Sequence, residues 1–429
     1  MIVPSIDLMQ GRAVQLRGGR DFVLDGGDPL ARLEEFAVAG EVAVVDLDAA
    51  LGKGGGSNEA LIREMVRRAP CRVGGGIRDL DTARAWLDAG AAKIMIGTAA
   101  SPDFCAALPR ERVIAAVDTE RGQVVVDGWR RDTGVPVLER IGALAPVVGG
   151  FLFTQVEREG AMDGFDFQAV AEAVRAAGES RLTAAGGITT TVEIAELDRI
   201  GADAQVGMAL YTGRLTLGAA VAAPLAKPVE NGGRGVWPTV VCDEWGRALG
   251  LVWSTPESLA CAVEQRRGVY WSRSRQALWV KGETSGNTQQ LLRVDLDCDR
   301  DALRFTVRQH GAGFCHLDRP ACWPAEFALD DLERTIVTRA ASSDPDSRTS
   351  KLLGDPALLA AKLREEAAEL AEAETRGAVV HETADLLYMS LVALVRRGGS
   401  LADVRAELGR RHAGVTRRPM TAKAPADAP

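Results

Sequence analysis

Histidine is scarce in this sequence of 429 residues: there are four, and all of them lie beyond residue 309. Proton transfer in the preceding part of the chain must therefore use carboxylates or less usual groups. No run of 18 apolar residues occurs, and the start MIVPSIDLMQGR has no basic segment followed by an apolar one. We therefore expect neither a membrane span nor export, and we expect a cytoplasmic protein.

Disulfides and a basic surface are also not expected. The seven cysteines are odd in number and scattered, so any cluster among them is better interpreted as metal-binding or reactive. The net charge of -8 argues against broad nucleic-acid binding, although backbone N–H groups can still bind phosphate-bearing small molecules. The length, with 46% apolar and 26% charged residues, predicts two or three globular domains.

The first 215 or so residues contain an internal repeat at an offset of 111. SIDLMQGRAV (5–14) matches AVDTERGQVV (116–125), and VGGGIRDLDTARAWLDAG (73–90) aligns with AAGGITTTVEIAELDRIG (184–201). Short apolar runs alternate with amphipathic stretches, and the runs predict buried parallel strands near residues 2–7, 42–46, 71–73, 93–96, 113–117, 150–154, 181–185 and 204–207. Eight strand–helix units in two copies of four predict a (β/α)8 TIM barrel, with its active site at the C-terminal ends of the strands.

Two kinds of residue fall at these strand ends. Asp7 and Asp118 are related by the repeat, which favours a role in chemistry over two unrelated helix caps. Paired glycines before a helix let the backbone approach a phosphate closely, and two pseudo-symmetric sites would hold a substrate with a phosphate at each end. The alternative is that the glycines only form tight loops. The candidate phosphate-binding residues are Gly75, Gly76, Gly97, Gly186, Gly187 and Gly207.

Several motifs of this region carry a family resemblance. PSIDLMQGRAVQL, VVDLD, VGGGIR, MIGTAA, AVDTERG, FTQVEREG and AAGGI resemble the histidine-biosynthesis isomerase that acts on phosphoribosyl-formimino carboxamide ribotide. The resemblance implies an Amadori rearrangement with Asp7 as general base, Asp118 as general acid and Thr154 as a positioning residue. A sister cyclase normally has a lysine soon after its first GR, where this chain has GRAVQLRGG, so the isomerase is favoured.

A second domain is expected after a linker rich in Pro, Gly and polar residues at 225–237. TVVCDEWGRALGLVWS alternates like a hairpin and predicts a small, mostly β domain. In LDCDRDA the carboxylates of Asp297, Asp299 and Asp301 repel one another unless a cation gathers them. If the segment is extended, the three aspartates point to one face and Cys298 to the other. The alternative is a solvated acidic turn with buried cysteines nearby.

Cys298 is followed by Cys315 and Cys322, and three thiolates with an open fourth position suit a catalytic zinc ion, while hard oxygen ligands suit magnesium. YWSRSRQALWVKGETSGN, DCDRDAL and GFCHLDRPACW resemble phosphoribosyl-AMP cyclohydrolase, which adds water at C6 of the adenine ring, from about residue 238 to 326. The resemblance implies zinc on the three cysteines and magnesium on the three aspartates. It also implies His316 as a proton-transfer group and a homodimer in which the first cysteine completes the partner's site. The family's SCF is here ACW.

The last part of the chain has acidic helices. KLREEAAELAEA and HETADLLY place carboxylates three or four residues apart, and such stripes are either solvated faces or metal sites built between helices. These segments resemble phosphoribosyl-ATP pyrophosphohydrolase, an all-α family of the MazG-like group, over about 345–418. The resemblance implies a dimeric bundle and magnesium. The implied ligands are Glu365, Glu366, Glu369, Glu382 and Asp385.

Together these patterns predict a multidomain chain with a TIM barrel, a small mostly β cyclohydrolase domain and an all-α MazG-like domain. The expected boundaries are 1–224, the linker 225–237, 238–328, 329–418 and a disordered tail at 419–429. The three resemblances name consecutive steps on phosphoribosyl nucleotides, with a homodimer or higher homo-oligomer and no nucleic acid or membrane as partner. Two alternatives are a barrel that is only a scaffold, and a helical domain that hydrolyses nucleotides with broad specificity.

Overall fold

The computed structural model describes residues 1–19, 21–52, 58–159, 164, 166–225, 228–231, 234–324, 327–342 and 347–416. Of the described residues, those within 1–322 and 413–416 form one compact unit, and those within 323–412 form a second. The predicted tail at 419–429 lies outside the described residues.

Eight parallel strands form the N-terminal part of the first unit. The strands are Ile2–Met9, Val42–Asp46, Cys71–Gly74, Lys93–Ile96, Val113–Glu120, Gly150–Gln155, Arg181–Ala185 and Ala202–Val206. Each strand pairs with the next in sequence, and the first pairs with the eighth, so the sheet closes into a barrel. The predicted (β/α)8 barrel is confirmed, because continuous apolar runs are typical of strands buried on both faces.

The repeat extends to the loops at the strand ends. An antiparallel hairpin, Arg12–Arg17 with Asp21–Gly27, follows the first strand. A second hairpin, Gln123–Val126 with Arg131–Pro136, follows the fifth. The two hairpins begin 111 residues apart, so both halves carry the same extension over the end of the barrel where the active site is expected.

Helices surround the barrel and turn their apolar residues towards the strands. The longer ones are Pro29–Phe36, Glu59–Arg68, Leu80–Ala89, Val137–Leu144, Phe167–Ala177 and Thr191–Ile200, and shorter ones are Leu47–Ala50, Pro102–Ala106, Met208–Tyr211 and Leu217–Ala222. The helices that follow the glycine pairs begin at capping residues Asp79 and Thr190, whose side chains accept backbone N–H bonds. The interior of the barrel holds the cluster Val3, Ala43, Met95, Ile114, Leu152 and Ala185.

The second part of this unit is a small, mostly β domain, as predicted. Its strands are Val229–Asn231, Arg234–Asp243, Ala248–Ser254, Val269–Ser272, Ala277–Val280, Gln289–Leu296 and Leu303–Gln309, with one helix, Pro256–Gln265. The hairpin predicted around DEWGR is present. The segment predicted as a linker differs, because two strands begin within 225–237, where Val236 and Trp237 are buried in the fold.

The second unit is helical, with helices Leu329–Ser342, Arg348–Gly354, Pro356–Glu372, Arg376–Arg396 and Leu401–Ala413, the last of which ends at the unit boundary. Its own core contains Ile336, Leu352, Leu359, Met389 and Val392. By length and composition alone, one described helix, Arg376–Arg396, is apolar enough to cross a membrane. That is weak evidence, because helices of globular cores share these properties.

Candidate active sites

A cavity of about 320 Å³ opens at the C-terminal ends of the barrel strands. This volume lies in the range of small-molecule sites. The residues predicted there all line it: Asp7, Asp118, Thr154, Gly75, Gly76, Gly97, Gly186, Gly187 and Gly207. The barrel topology therefore brings together residues from both halves of the repeat.

Asp7 and Asp118 lie at the ends of the first and fifth strands, which are opposite one another in the closed eight-stranded sheet. Burial raises the pKa of Asp7 to about 7. Burial also raises the pKa of Asp118, while hydrogen bonds donated by the Trp129 indole and the Thr154 hydroxyl act in the opposite direction. Thr154 is aligned with Asp118 on the neighbouring strand, which explains how its hydroxyl reaches the carboxylate.

Besides Asp7, Asp118 and the exposed Asp127, the carboxylate of Glu159 lines the same cavity, and it was not singled out from the sequence. It ends the short turn Val156–Arg158 after the sixth strand, and its carboxylate lies beside Gly186. Burial raises its pKa to about 7, and repulsion by Asp7 and Asp118 adds to the shift. Asp7, Asp118 and Glu159 cannot all be ionised at low cost, and the pKa values of Asp7 and Glu159 place their proton exchange near neutral pH. The residue lies within FTQVEREG, a motif in which only Thr154 was singled out from the sequence.

The two glycine pairs have a shared backbone requirement. Gly75, Gly76, Gly186 and Gly187 all have positive φ, and an added Cβ on Gly75 would lie 2.2 Å from the Asp46 carbonyl oxygen. The backbone conformation and close packing of these loops therefore require glycine whether or not a phosphate binds there. Gly97 differs, because a Cβ there would meet nothing within 4 Å.

In the small domain, Asp297, Asp299 and Asp301 each place one carboxylate oxygen within 4.8 Å of the other two. The segment is not extended, so the arrangement on two faces that was conditional on an extended segment does not apply: strand Gln289–Leu296 ends before the acidic residues, and Arg300 has a φ of +62°. The chain instead forms a turn in which the Asp297 carboxylate accepts the N–H groups of Asp301 and Ala302, at 3.0 and 3.1 Å. These bonds, together with one from the Arg300 N–H, outweigh desolvation and lower the pKa of Asp297. Three hard oxygen donors at this spacing fit a magnesium ion.

The three cysteines of this domain do not all come together within one chain. Cys315 and Cys322 lie next to each other. Burial is the largest cause that raises the pKa of Cys322, and the charge and hydrogen bond of the Cys315 thiol raise it further. Lys281 lies close to both thiols and is itself largely buried, and desolvation lowers its pKa. Cys298 is exposed in the acidic turn, and among the described residues no group of three possible ligands includes it. His316 is exposed, with Nδ1 3.9 Å from the Cys315 Sγ. One chain thus supplies two of the three predicted zinc ligands at one place.

In the helical unit, Glu366, Glu382 and Asp385 place their carboxylate oxygens within 4.8 Å of one another, and Glu366 is buried. Glu369 lies next to this group: desolvation raises its pKa, and Glu382 is the strongest of the repelling charges. Glu365 is exposed, and its carboxylate accepts a bond of 2.6 Å from Lys362. Buried Glu366 on helix Pro356–Glu372 and half-buried Glu382 and Asp385 on helix Arg376–Arg396 converge at one place, and converging carboxylates of two helices suit a divalent cation.

The fold and these sites define a multidomain protein built on a duplicated barrel, with a candidate site in each of its three parts. Residues 1–216 match the family model described as Histidine biosynthesis protein. The chain also matches an isomerase of a phosphoribosylated imidazole-4-carboxamide from Methanosphaerula palustris, with 36% identity over 233 residues, 50% of this chain and 96% of that protein. The chain belongs to the histidine biosynthesis protein family.

The remaining regions match two further family models. Residues 250–324 match Phosphoribosyl-AMP cyclohydrolase and residues 329–412 match Phosphoribosyl-ATP pyrophosphohydrolase, so all three resemblances noted from the sequence are confirmed, in the same order. A histidine biosynthesis trifunctional protein of Saccharomyces bayanus is 48% identical over 191 residues, and a histidine biosynthesis bifunctional protein of Schizosaccharomyces pombe is 46% identical over 189. Both matches cover 44% of this chain, but they span 24% and 45% of those two proteins.

Proposed function

We propose that this chain catalyses three steps of histidine biosynthesis on phosphoribosyl nucleotides. The helical unit releases pyrophosphate from phosphoribosyl-ATP, the small β domain opens the adenine ring of phosphoribosyl-AMP, and the barrel isomerises the resulting aminoaldose ribotide. The observation that carries this proposal is the presence, in each matched region, of a cluster of chemically suitable side chains at the positions predicted from its own family resemblance.

In the barrel, the glycine loops of the two halves hold the two phosphate ends of the substrate, which places the ribose between Asp7 and Asp118. Asp118 protonates the ring oxygen as the ring opens, and Asp7 removes the C2′ proton. Thr154 and Trp129 hold the Asp118 carboxylate by donating hydrogen bonds to it. The raised pKa of Asp7 suits a group that exchanges protons near neutral pH.

In the small domain, Asp297, Asp299 and Asp301 would hold magnesium, and Cys315 and Cys322 would hold zinc with Cys298 of a second copy. Zinc held this way would supply an activated water for the addition at C6 of the adenine ring. His316, beside Cys315, transfers a proton to the ring nitrogen. The separation of Cys298 from the other two thiols supports a homodimer, since a third ligand must come from elsewhere.

In the helical unit, Glu366, Glu369, Glu382 and Asp385 would hold magnesium, with Glu365 at the edge of the site. Magnesium there would neutralise triphosphate charge during attack by water. We infer a cytoplasmic homodimer or higher oligomer that depends on zinc and magnesium.

One incubation tests the assignment. The purified chain, supplied with phosphoribosyl-ATP, zinc and magnesium, should carry it through phosphoribosyl-AMP and the formimino ribotide to the isomerised product, followed by chromatography. Accumulation at the formimino ribotide would reduce the barrel to a scaffold. Equal hydrolysis of unrelated nucleoside triphosphates would instead favour a helical domain of broad specificity.

A further inference from the structure

Arg300 occupies an unusual place in the acidic turn. It lies between Asp299 and Asp301 in sequence and is the single basic residue of LDCDRDA. Its guanidinium nevertheless bonds to a residue of the barrel: Nη2 lies 2.6 Å from Oδ1 of Asp198, on helix Thr191–Ile200. Arg300 has a φ of +62°, a conformation that costs energy for a residue with a Cβ.

The Arg300–Asp198 pair is shielded from solvent. The two side chains are 18% and 11% exposed, so the pair is stronger than an ordinary surface ion pair. Asp198 also lies 3.3 Å from the N-terminal ammonium group, which Asp203 holds at 2.6 Å. Asp198 therefore has a cationic partner within the barrel in addition to Arg300.

The surface on which this pair lies is a packed junction between the barrel and the small domain. Helix Leu217–Ala222 of the barrel packs against helix Pro256–Gln265, and an added Cβ on Gly218 would lie 2.3 Å from the Ala260 carbonyl oxygen. The Gly218 N–H donates to Glu264 at 2.7 Å. Both domains share one continuous apolar core, so Asp198 and the acidic turn belong to the same packed unit.

We propose that Asp198 of the barrel is a positioning residue for the metal-binding turn of the small domain. By binding Arg300, it keeps the turn's own cation away from Asp297, Asp299 and Asp301, so that a divalent ion can occupy them. Without Asp198, the flexible guanidinium is free to fold back onto the three carboxylates and compete with the metal. The inference rests on the proposed magnesium site and adds that the barrel sets its affinity.

Hydrogen exchange of the full chain tests this, read by mass spectrometry on peptides spanning 296–303 during a magnesium titration. The amide groups of Asp301 and Ala302 lie in this peptide, so the signal reports this site alone and does not depend on the helical unit. In the unchanged protein, protection should rise with magnesium to a midpoint. Asp198→Asn should move that midpoint to higher magnesium by on the order of tenfold. The matched control is Glu196→Gln, on the same helix, whose carboxylate pairs with Arg199.

A second background separates competition from general damage to the junction. Arg300→Gly retains a residue that adopts positive φ easily and removes the cation. In that background, adding Asp198→Asn should leave the midpoint unchanged. A further tenfold shift there, or no shift in the Asp198→Asn single variant, overturns the inference. Absence of magnesium-dependent protection in the unchanged protein would instead refute the proposed magnesium site itself.

Discussion

At the scale of single residues, the barrel cavity contains several carboxylates whose pKa values are raised by burial. Burial raises the pKa values of Asp7, Asp118 and Glu159, and repulsion by Asp7 and Asp118 adds to the shift at Glu159. Such a group suits proton transfer, but it also costs stability whenever the pH forces the charges to appear.

Asp7→Asn and Asp118→Asn should each stop the reaction sequence at the formimino ribotide. General acid or base assistance is typically worth about 10² to 10⁴ in rate, and no histidine before residue 310 can replace either group. Product analysis with phosphoribosyl-ATP measures this, with adenine ring opening expected at the normal rate. The exposed Glu179, changed to Gln, is the control. Full isomerisation by both aspartate variants would make the paired aspartates structural.

Asp7→Asn should also stabilise the protein, and more so at high pH. The pKa of Asp7 rises on folding from 3.8 to about 7, so the folded state binds the proton more tightly than the unfolded state. The stabilisation that comes from protonating Asp7 is therefore fully present below about pH 4 and is lost as the pH rises through about 7. Removing the charge should raise the free energy of unfolding by about 2–4 kcal/mol at pH 8, and by less than half of that at pH 5.

Urea unfolding at pH 5 and pH 8 measures this difference, and Glu179→Gln should show little change at either pH. Destabilisation by Asp7→Asn at pH 8 would mean that the ionised carboxylate has a favourable partner.

At the scale of structural elements, substitutions of two glycines at the strand ends can distinguish a role in loop geometry from a role in phosphate binding. A Cβ on Gly76 would lie 2.6 Å from the Ala49 Cβ at a φ of +72°, whereas a Cβ on Gly97 would point into open space. Gly76→Ala should therefore destabilise the barrel by roughly 1–3 kcal/mol.

Gly97→Ala should fold normally and raise the KM of the isomerase several-fold, because the methyl group would occupy the cavity where a phosphate binds. Steady-state kinetics and thermal unfolding measure the two effects separately. Gly142→Ala, in helix Val137–Leu144, has equal space for a Cβ and does not line the cavity, so it is the control. An unchanged KM in Gly97→Ala would remove Gly97 from the phosphate site.

The pair of acidic helices gives the next prediction. Glu366→Gln or Asp385→Asn should halt pyrophosphate release, because losing one carboxylate weakens magnesium binding in a site with few protein ligands. Ring opening should continue when phosphoribosyl-AMP is supplied directly. Glu374→Gln, an exposed carboxylate between the two helices, is the matched control. Normal hydrolysis of phosphoribosyl-ATP by both variants would reduce the cluster to a solvated face.

At the scale of the whole molecule, the proposed zinc site, with Cys298 supplied by a second copy, predicts that ring opening needs two copies of the chain. Cys298→Ser and Cys315→Ser should each accumulate phosphoribosyl-AMP. When the two variants are unfolded together and refolded as a mixture, half of the dimers are mixed and each holds one intact site, so about a quarter of the normal ring-opening activity should return. No recovery, with each variant still dimeric by light scattering, would place all three ligands in one chain.

Much of the fold could be predicted because its signals are local or repeat within the sequence. The apolar runs located all eight barrel strands, and the offset of 111 placed Asp7 and Asp118 at equivalent strand ends. Helical spacing placed Glu366, Glu382 and Asp385 where two facing helices could bring them together. These features follow from the periodicity of the backbone within each element, so they can be predicted without information about contacts between distant parts of the chain.

The tertiary structure decided the features that depend on residues far apart in the sequence. Glu159 enters the cavity because a short turn after the sixth strand directs it there, and burial then sets its pKa. The acidic segment forms a turn because Asp297 binds backbone N–H groups and Arg300 is drawn to Asp198, 102 positions earlier in the sequence. The sequence by itself leaves open both an extended segment and an acidic turn. The packing of whole domains decides which groups a charged side chain contacts. The spacing of residues within LDCDRDA does not contain that information.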